Sequence, residues 1–447
     1  MRRLLSILSL GLLLASCSKE SGFDYTRIVC QMSDYTVGVG EDSGVMILCL
    51  GDGGKRDVYD FSADPLGLVF SSSDENVLEL KGKGAIIGRK QGFATLQVVS
   101  SSKPEYNCSC KITVKRDDMY NLDTPFDRSM AFHCYEKKGF DRQCFDIDSK
   151  GNVYSAFSKS NGSRGYLGIM RHGTDGKDSE EMVFYYAAHG DSFSIEESGG
   201  DVYVWVPTFG TKSSDGTYGT AQMFCRVKFE PGKKYAPEDL VDNCFYIKGA
   251  KDLFISRDKT TGNIAVMCPD TQASGKTHRV RVYPAESLLS APMKTVTTLS
   301  MTRGGDFGPI KTETTGTVKV KVHDISAITP IADFYYNKST VYGGRVFQGF
   351  CYYAGACYFL CDKGNDSRTT ATRDMTLTKL NLLGGVMSGP DHIKAVDDTK
   401  NIRAAGFCAT PDYLEAEGLL FKDDCLYVGA LSWNSGASCF NATFKLK

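Results

Sequence analysis

Beyond its first 16 residues, the 447-residue chain has few features of a membrane-spanning or nucleic-acid-binding protein. No later apolar run approaches the roughly 20 residues that a spanning helix needs. Lysine and arginine total 52 against 53 aspartate and glutamate, so the formal net charge is −1, and no basic run stands out. A nucleic-acid partner, which a basic patch would attract, is therefore not expected.

The usual local signatures of catalytic centres are also missing. The sequence contains no G-x-S-x-G, no H-E-x-x-H and no P-loop. Cys108 and Cys110 have no partner at zinc-site spacing, which argues against a structural zinc ion there. Paired carboxylates for glycosidic bond cleavage stay open, because distant strands can bring two acids together without any local motif.

The first 16 residues are typical of an export signal. Arg2 and Arg3 give a positive start, and the apolar stretch that follows is too short for a finished spanning helix. It ends in the run LASC, whose cysteine is Cys17. This run resembles the lipobox of bacterial lipoproteins, which implies cleavage before Cys17 and lipid attachment to its thiol. An ordinary secretory signal is the alternative.

Residues 17–24 form a short polar tether. The charged tripeptide after Cys17 is similar to tags that send Bacteroidetes lipoproteins to the cell surface. The resemblance implies a lipid-anchored protein of the outer membrane, exposed at the cell surface, with the periplasmic face as the alternative. The membrane is then a partner through the anchor, and we expect the protein to be a monomer.

Cysteine is unusually frequent for such a chain. Sixteen are present, and if Cys17 carries lipid, an odd number remains. At least one thiol is then unpaired even if all the others form disulfides. Several alternate with aromatic residues, as in CYYAGACYFLC from Cys351 to Cys361. We expect most of them to pack as free, small hydrophobic side chains.

Residues 25–115 predict a β-sandwich. Short alternating segments are separated by turn signals such as Gly51-Asp-Gly-Gly54. The segments SSSDENVLEL, GAIIGRKQGFATLQVVS and CKITV resemble the bacterial immunoglobulin-like domain, group 2, although Phe70 stands where that family usually has tryptophan. The resemblance implies a spacer or adhesion module without a catalytic centre. Residues 116–128 are then a linker.

Residues 129–447 contain five weak repeats of strand, turn and strand. The second strands are VYSAF, VYVWV, IAVMC, CYFLC and CLYVGAL, and a further alternating strand follows in most repeats. Units of this kind predict a β-propeller, with five blades as the first expectation. A six-bladed ring is the alternative, in which the long gap near residues 301–346 contains a degenerate unit.

The same segment resembles the helveticin J family of five-bladed, propeller-like proteins. The matching features are RQCFDID…NVYSAF, AAHGDSFSIE…VYVW, FQGFCYYAGACYFL and EAEGLLFKDDCLYVG, spread over most of residues 129–447. The resemblance implies the fold. It does not transfer an activity, because one fold supports many functions.

Aligning the repeats brings one polar column together at the start of the inner strands. Since inner strands line the channel of a propeller, these side chains predict a polar ring at one mouth. Such a ring can hold a polar ligand or a Ca²⁺ ion; otherwise it binds ordered water and satisfies strand ends. No other cofactor is expected. The column consists of Gln143, Ser192, Asp252, Gln348 and Glu417.

Loop residues near the same region form a second set of candidates. His189 and Asp191 can be an acid/base pair or a plain surface turn. Trp433 ends a strand and is a candidate ligand contact, because tryptophan stacks on sugar rings. Trp205 alternates with Tyr203 in VYVWV and is expected in the core.

The lipid anchor, the immunoglobulin-like spacer and the propeller together predict a cell-envelope protein. We expect its propeller to bind a glycan, or an envelope or host protein, without catalysis. The alternative is a propeller hydrolase or lyase that acts on polysaccharide through acids at the channel mouth. A purely structural role would instead show a large apolar patch.

Overall fold

A computed structural model describes most of the chain after the predicted tether. The predicted signal peptide and lipidated Cys17 lie outside the described residues. The described ranges are 25–32, 35–89, 92–115, 120–133, 140–159, 166–173, 179–211, 220–270, 277–298, 318–363, 374–405, 414–423, 425–433 and 439–446.

Regular structure in these ranges is almost entirely β, as predicted. None of the described helices is long and apolar enough to cross a bilayer. The α-helices are Ala285–Leu289, Lys338–Tyr342 and Thr399–Ala404, and the 3-10 helices are Asp52–Gly54, Pro104–Tyr106, Arg128–Met130, Pro237–Asn243 and Lys394–Asp397.

An N-terminal unit of three small sheets is formed by residues 27–115. Its sheets have the orders β1-β4-β5, β2-β10-β9-β6 and β3-β8-β7. Period-2 alternation directs Ala94, Leu96 and Val98 into the core while Val99 is exposed. The immunoglobulin-like assignment stays a prediction. The strands are β1 (Arg27–Gln31), β2 (Thr36–Gly38), β3 (Asp42–Gly44), β4 (Met46–Leu50), β5 (Arg56–Val58), β6 (Leu68–Ser72), β7 (Leu78–Leu80), β8 (Ala85–Gly88), β9 (Gly92–Ser100) and β10 (Cys108–Lys115).

The first two blades of a propeller follow. The first has the order β12-β13-β14-β15-β19, and the second begins β16-β17-β18-β20. In each, the first three strands pair antiparallel in chain order, as the repeats predict. The strands are β11 (Ala131–His133), β12 (Phe140–Ile147), β13 (Val153–Lys159), β14 (Tyr166–His172), β15 (Ser179–Tyr185), β16 (Ser194–Ser198), β17 (Asp201–Thr211), β18 (Thr220–Lys228), β19 (Lys234–Tyr235) and β20 (Cys244–Tyr246).

The remaining blades have the orders β21-β22-β23-β26, β27-β28-β29-β30 and β11-β33-β32-β31. The last sheet joins the first strand after the linker to the C-terminal strands and so closes the ring. The strands are β21 (Phe254–Arg257), β22 (Ile264–Asp270), β23 (Thr277–Tyr283), β24 (Met293–Thr298), β25 (Val318–Asp324), β26 (Ala332–Asn337), β27 (Val346–Tyr353), β28 (Ala356–Asp362), β29 (Thr376–Leu380), β30 (Val386–His392), β31 (Glu415–Lys422), β32 (Cys425–Trp433) and β33 (Cys439–Leu446).

The inner strands form a closed cycle. Each of β12, β16, β21, β27 and β31 contacts the next, and β31 contacts β12 again. This arrangement confirms the predicted propeller, and five sheets form the ring in the described part of the chain. The long gap after the third repeat contains a hairpin, β24 and β25, that extends the second blade, and β26, which completes the third.

Polar side chains connect neighbouring inner strands. In several places, a side-chain oxygen on one inner strand accepts a hydrogen bond from a backbone N–H on the inner strand of the next blade. These bonds satisfy backbone donors that have no partner within their own sheet. Asp146 accepts from Ile195 at 2.8 Å, and Ser256 Oγ accepts from Tyr352 at 2.8 Å. Buried polar residues in the repeats therefore hold the ring together.

The N-terminal unit packs directly on the third and fourth blades. Arg56 Nη1 donates to the Asp333 carbonyl at 2.9 Å, and Thr36 Oγ1 donates to the Ala354 carbonyl at 3.2 Å. One apolar cluster continues from Tyr35 in this unit to Tyr352 in the fourth blade. The predicted spacer is thus joined to the propeller through a shared core.

The described part of the predicted linker lies against the propeller. Leu122 and Phe126 pack on the apolar cluster between the fourth and fifth blades. The ring of Tyr120 lies 5.6 Å from that of Phe421, measured between centroids. These contacts bury apolar side chains that a free linker would expose.

Candidate channel-mouth site

Three residues of the polar column lie at irregularities in the inner strands. The pairing register shifts at Gln143 in the first blade, at Gln348 in the fourth and at Glu417 in the fifth. Such bulges redirect a side chain out of the regular alternation. Gly418 completes the bulge in the fifth blade with φ +85°, and a Cβ there would lie 3.1 Å from Cys144 Cα.

The other two members of the column immediately precede their strands. Asp252 has a positive φ of 56° and a half-buried side chain. Ser192 is buried, and its Oγ accepts the Ile255 backbone N–H at 3.0 Å. Ser192 is therefore part of the hydrogen bonding that connects the blades, whereas Asp252 lies close enough to Asp191 to be repelled by it.

Glu417 is the most perturbed acid of the group. Its side chain is 5% exposed. Burial raises its pKa well above the ordinary value, and repulsion from Glu415, Asp191 and Asp362 adds to this, while Arg142 partly offsets it. Carboxyls from the second, fourth and fifth blades therefore converge on one place, and Glu417 keeps its proton to a higher pH than an exposed glutamate does.

Asp191 also lies near Asp252. Burial raises the pKa of Asp252, and repulsion from Asp191 raises it further, while Lys338 and Lys251 act in the opposite direction. Since Asp191 repels both Asp252 and Glu417, these acids form one group at the channel mouth. The sequence placed Asp191 in a loop set separate from the column, and the fold joins the two sets.

A buried arginine lies next to these acids. Arg142 has no exposed surface, and its Nη1 donates to Thr443 Oγ1 at 3.1 Å. Its charge also contributes to the low pKa of His172, which burial and Arg142 together reduce to about 4. Its positive charge also acts to lower the pKa of Glu417 and so offsets part of the repulsion from the neighbouring carboxylates.

Gln348 is held by acids of its own blade and the next. Its Nε2 lies 3.0 Å from Asp362 Oδ1 and 3.3 Å from Glu415 Oε1. Asp362 also accepts the Ala416 backbone N–H at 2.9 Å. This network fixes the bulged start of the fourth and fifth inner strands.

The surroundings of the loop pair in the second blade differ from those of Glu196, the next acid along the chain. His189 Nε2 lies 3.9 Å from Asp191 Oδ1, and both side chains are about one-third exposed, at 37% and 34%. Glu196, further along, instead binds Trp205 Nε1 at 2.7 Å and Arg226 at 2.9 Å. Trp205 is fully buried, as expected for the core. The side chain of Trp433 lies outside the described residues.

A small cavity of about 10 Å³ lies between the inner strands, bordered by residues such as Cys144, Ser194 and Ser256. That volume holds at most about one water molecule.

Sequence reasoning missed Arg142, Asp362 and Glu415. Arg142 and Glu415 flank the column within the inner strands, so inspection of residues beside each column position could have found them. Asp362 ends a second strand, and only the pairing of β27 with β28 brings it next to Gln348.

The described residues contain no group of three or more histidine, cysteine, aspartate or glutamate side chains positioned to hold a metal ion. Calcium at the mouth therefore stays a prediction without a ready coordination set among them.

No protein-family model and no curated protein matches the chain. Among solved structures it is similar to the tail fiber of Staphylococcus aureus phage P68, at 12% identity and a TM-score of 0.43 over 71% of this chain and 53% of that chain. It is also similar to an exo-beta-1,3-galactanase from Phanerochaete chrysosporium, at 10% identity and a TM-score of 0.37 over 71% of this chain and 61% of that chain. A third similar structure is a GH43_1 enzyme from Xanthomonas citri complexed with xylotriose, at 12% identity and a TM-score of 0.33 over 70% of this chain and 89% of that chain.

The chain thus spans about half the length of the tail fiber and about three fifths of the galactanase. Likeness at these identities and TM-scores says nothing about activity.

Proposed function

We propose that the propeller cleaves glycosidic bonds in a polysaccharide at its channel mouth. The observation that carries this proposal is the group formed by Asp191, Asp252 and Glu417, in which burial and repulsion from Asp191 raise the pKa of the other two acids. Glycoside cleavage needs one carboxyl that donates a proton to the leaving oxygen and one carboxylate that acts on the opposite side.

Asp252 is the proton donor in this scheme. A general acid must reach the substrate, and Asp252 is half-buried with a raised pKa, whereas Glu417 is almost covered. Asp191, which is partly exposed, acts as the carboxylate that activates water or attacks the sugar. Glu417 is too covered to touch the substrate and acts on the site only through its repulsion with Asp191.

The test compares two classes of substrate. Asp252→Asn should lose most activity on a natural polysaccharide but retain activity on aryl glycosides with a good leaving group, because such a group departs without protonation. Asp191→Asn should lose activity on both. Asp201→Asn, a change at a partly exposed ion pair with Lys228 on β17 of the same blade as Asp191, should alter neither. Equal losses on both substrates in Asp252→Asn would assign it another role.

Non-catalytic glycan binding is the second candidate, because the polar groups of the mouth are largely engaged with one another. Gln348 and Asp362 bind each other and the backbone, and Gln143 and Glu417 are buried. If the wild-type chain cleaves no member of a polysaccharide panel but binds one by calorimetry, with or without EDTA, this candidate replaces the first.

We further propose that the chain is displayed from the outer membrane by lipid on Cys17, a residue outside the described part. Metabolic labelling with a palmitate analogue should mark the wild type and not Cys17→Ala. Labelling of both proteins would exclude Cys17 as the attachment site.

A further inference from the structure

The N-terminal unit contains three neighbouring cysteines. Cys30 lies on β1, and Cys108 and Cys110 lie two residues apart on β10, so both face the same side of that strand. The Sγ atoms of Cys30 and Cys108 are 3.4 Å apart. Since β1 and β10 belong to different sheets, this contact crosses from one sheet to the other.

The three thiols border a cavity between the N-terminal unit and the propeller. Its volume is about 330 Å³, and Tyr35 and Tyr352 contribute to its wall from the two sides. Cys30 is buried, whereas Cys108 and Cys110 are partly exposed. A small disulfide in solution can therefore reach the two thiols of β10 before it reaches Cys30.

The surroundings raise the pKa of the Cys30 and Cys108 thiols. The hydrogen bond with Cys108 favours the Cys30 thiolate, but the bond with Cys110 and burial outweigh it and raise the Cys30 pKa well above its ordinary value. The hydrogen bond with Cys30, and then burial, raise the pKa of Cys108. Because the thiolate is the nucleophile of thiol–disulfide exchange, these raised pKa values make the exchange slow near neutral pH and faster as the pH rises.

We propose that Cys30 and Cys108 form a reversible disulfide by exchange with a small disulfide, and that Cys110 is the third thiol of this site. In the first step, the Cys108 thiolate attacks the small disulfide, forms a mixed disulfide and releases one small thiol. In the second, the Cys30 thiolate attacks the Cys108 sulfur and releases the other small thiol. Two protein thiols and one disulfide thus become one protein disulfide and two small thiols.

The new bond would connect two sheets next to the contact with the propeller. Tyr35 donates its hydroxyl hydrogen to the Cys30 carbonyl at 2.7 Å, and its ring packs against Gly355 of the fourth blade. Cross-linking positions 78 residues apart restricts the unfolded chain, and we expect the midpoint of thermal unfolding to rise by roughly 5 °C.

Another cysteine pair serves as an internal comparison. Cys225 and Cys244 lie directly opposite each other on β18 and β20, and both are completely buried. These two cysteines are close to each other, but neither is accessible to a small disulfide in solution. If exchange depends on the cavity, the first pair oxidises and the second does not.

The experiment incubates the mature chain with oxidised glutathione, traps free thiols with iodoacetamide and maps the peptides by mass spectrometry. The Cys30–Cys108 peptide pair, about 2 Da lighter than its reduced form, should dominate. In Cys108→Ser, the Cys30–Cys110 pair should replace it, and Cys110→Ser should retain the original pair. Cys268→Ser, at a buried cysteine elsewhere, is the matched control.

Two results would overturn the proposal. One is alkylation of Cys30 in the wild type after the longest incubation. The other is formation of the Cys225–Cys244 pair before the Cys30–Cys108 pair. Both are read from the wild-type chain, so the outcome holds even if a serine variant does not fold.

Discussion

Gln348 Nε2 lies 3.0 Å from Asp362 Oδ1, so the bulged residue of one strand is held by the final residue of the strand paired with it. The same carboxylate accepts the Ala416 backbone N–H of the fifth blade through its other oxygen. Asp362 therefore connects two blades at the edge of the candidate site.

Removing this carboxylate should lower stability. Asp362→Ala leaves the buried Ala416 N–H without its acceptor, and an unsatisfied buried donor costs about 1–3 kcal/mol. Denaturant unfolding measures the loss, and Asp391→Ala, at an exposed position on β30, is the control. Equal unfolding free energies for both variants would show that water replaces the lost acceptor.

Glu417 predicts a specific dependence of stability on pH. Its pKa is raised in the folded chain, so the folded state binds more protons than the unfolded state above about pH 4.5. Stability should therefore be fully present below that pH and be lost as the pH rises through the folded-state pKa. The slope can reach about 1.4 kcal/mol per pH unit.

Glu417→Gln should remove this dependence, because the amide does not titrate. Unfolding free energies at pH 5 and pH 8 should then be closer together than in the wild type, and the exposed change Glu105→Gln should leave the difference intact. An unchanged difference in Glu417→Gln would assign the dependence to another group.

Asp191 should control the pKa of two other acids. Asp191→Asn removes a negative charge that repels both Asp252 and Glu417, so both pKa values should fall. Titration of ¹³C-labelled carboxyls by NMR measures each value separately, with Asp201→Asn as the control. A fall in the pKa of Glu417 alone would show that Asp252 is not part of the group.

Gly355 should be essential for the contact between the two units. It has φ +81°, and a Cβ there would lie 2.0 Å from Tyr35 Cδ2 and 2.5 Å from Tyr35 N. Gly355→Ala should destabilise the chain and speed up amide hydrogen exchange in β1 and β10.

Gly249→Ala separates strain from clash, because Gly249 has a similar φ of +76° with nothing within 4 Å of its added Cβ. That variant should show only the conformational cost of about 1–2 kcal/mol. If both variants behave alike, the contact with Tyr35 contributes nothing beyond backbone strain.

Much of the fold could be predicted from the residues themselves. Alternation in segments such as VYSAF and CYFLC, each bounded by turn residues, predicts strands because neighbouring side chains point to opposite faces. The repeats align because each blade buries the same positions. The column from Gln143 to Glu417 falls at or just before the inner strands for this reason, and its place at a channel mouth stays a prediction. Ser192 instead binds the neighbouring strand.

The cysteine site shows where such reasoning ends. Cys108 and Cys110 share a face by local geometry, but nothing near them in sequence indicates Cys30. Only the packing of β1 against β10 brings its thiol into contact.

The sequence by itself determined the strands, their turns, the repeats and the residues that begin each inner strand, because these depend on neighbours within a few positions. Only the tertiary structure decided that Asp191 lies near both Asp252 and Glu417, and that the pKa values of these two acids are raised. Burial and charge repulsion depend on distance in space, and closing the ring brings together residues that lie far apart along the chain.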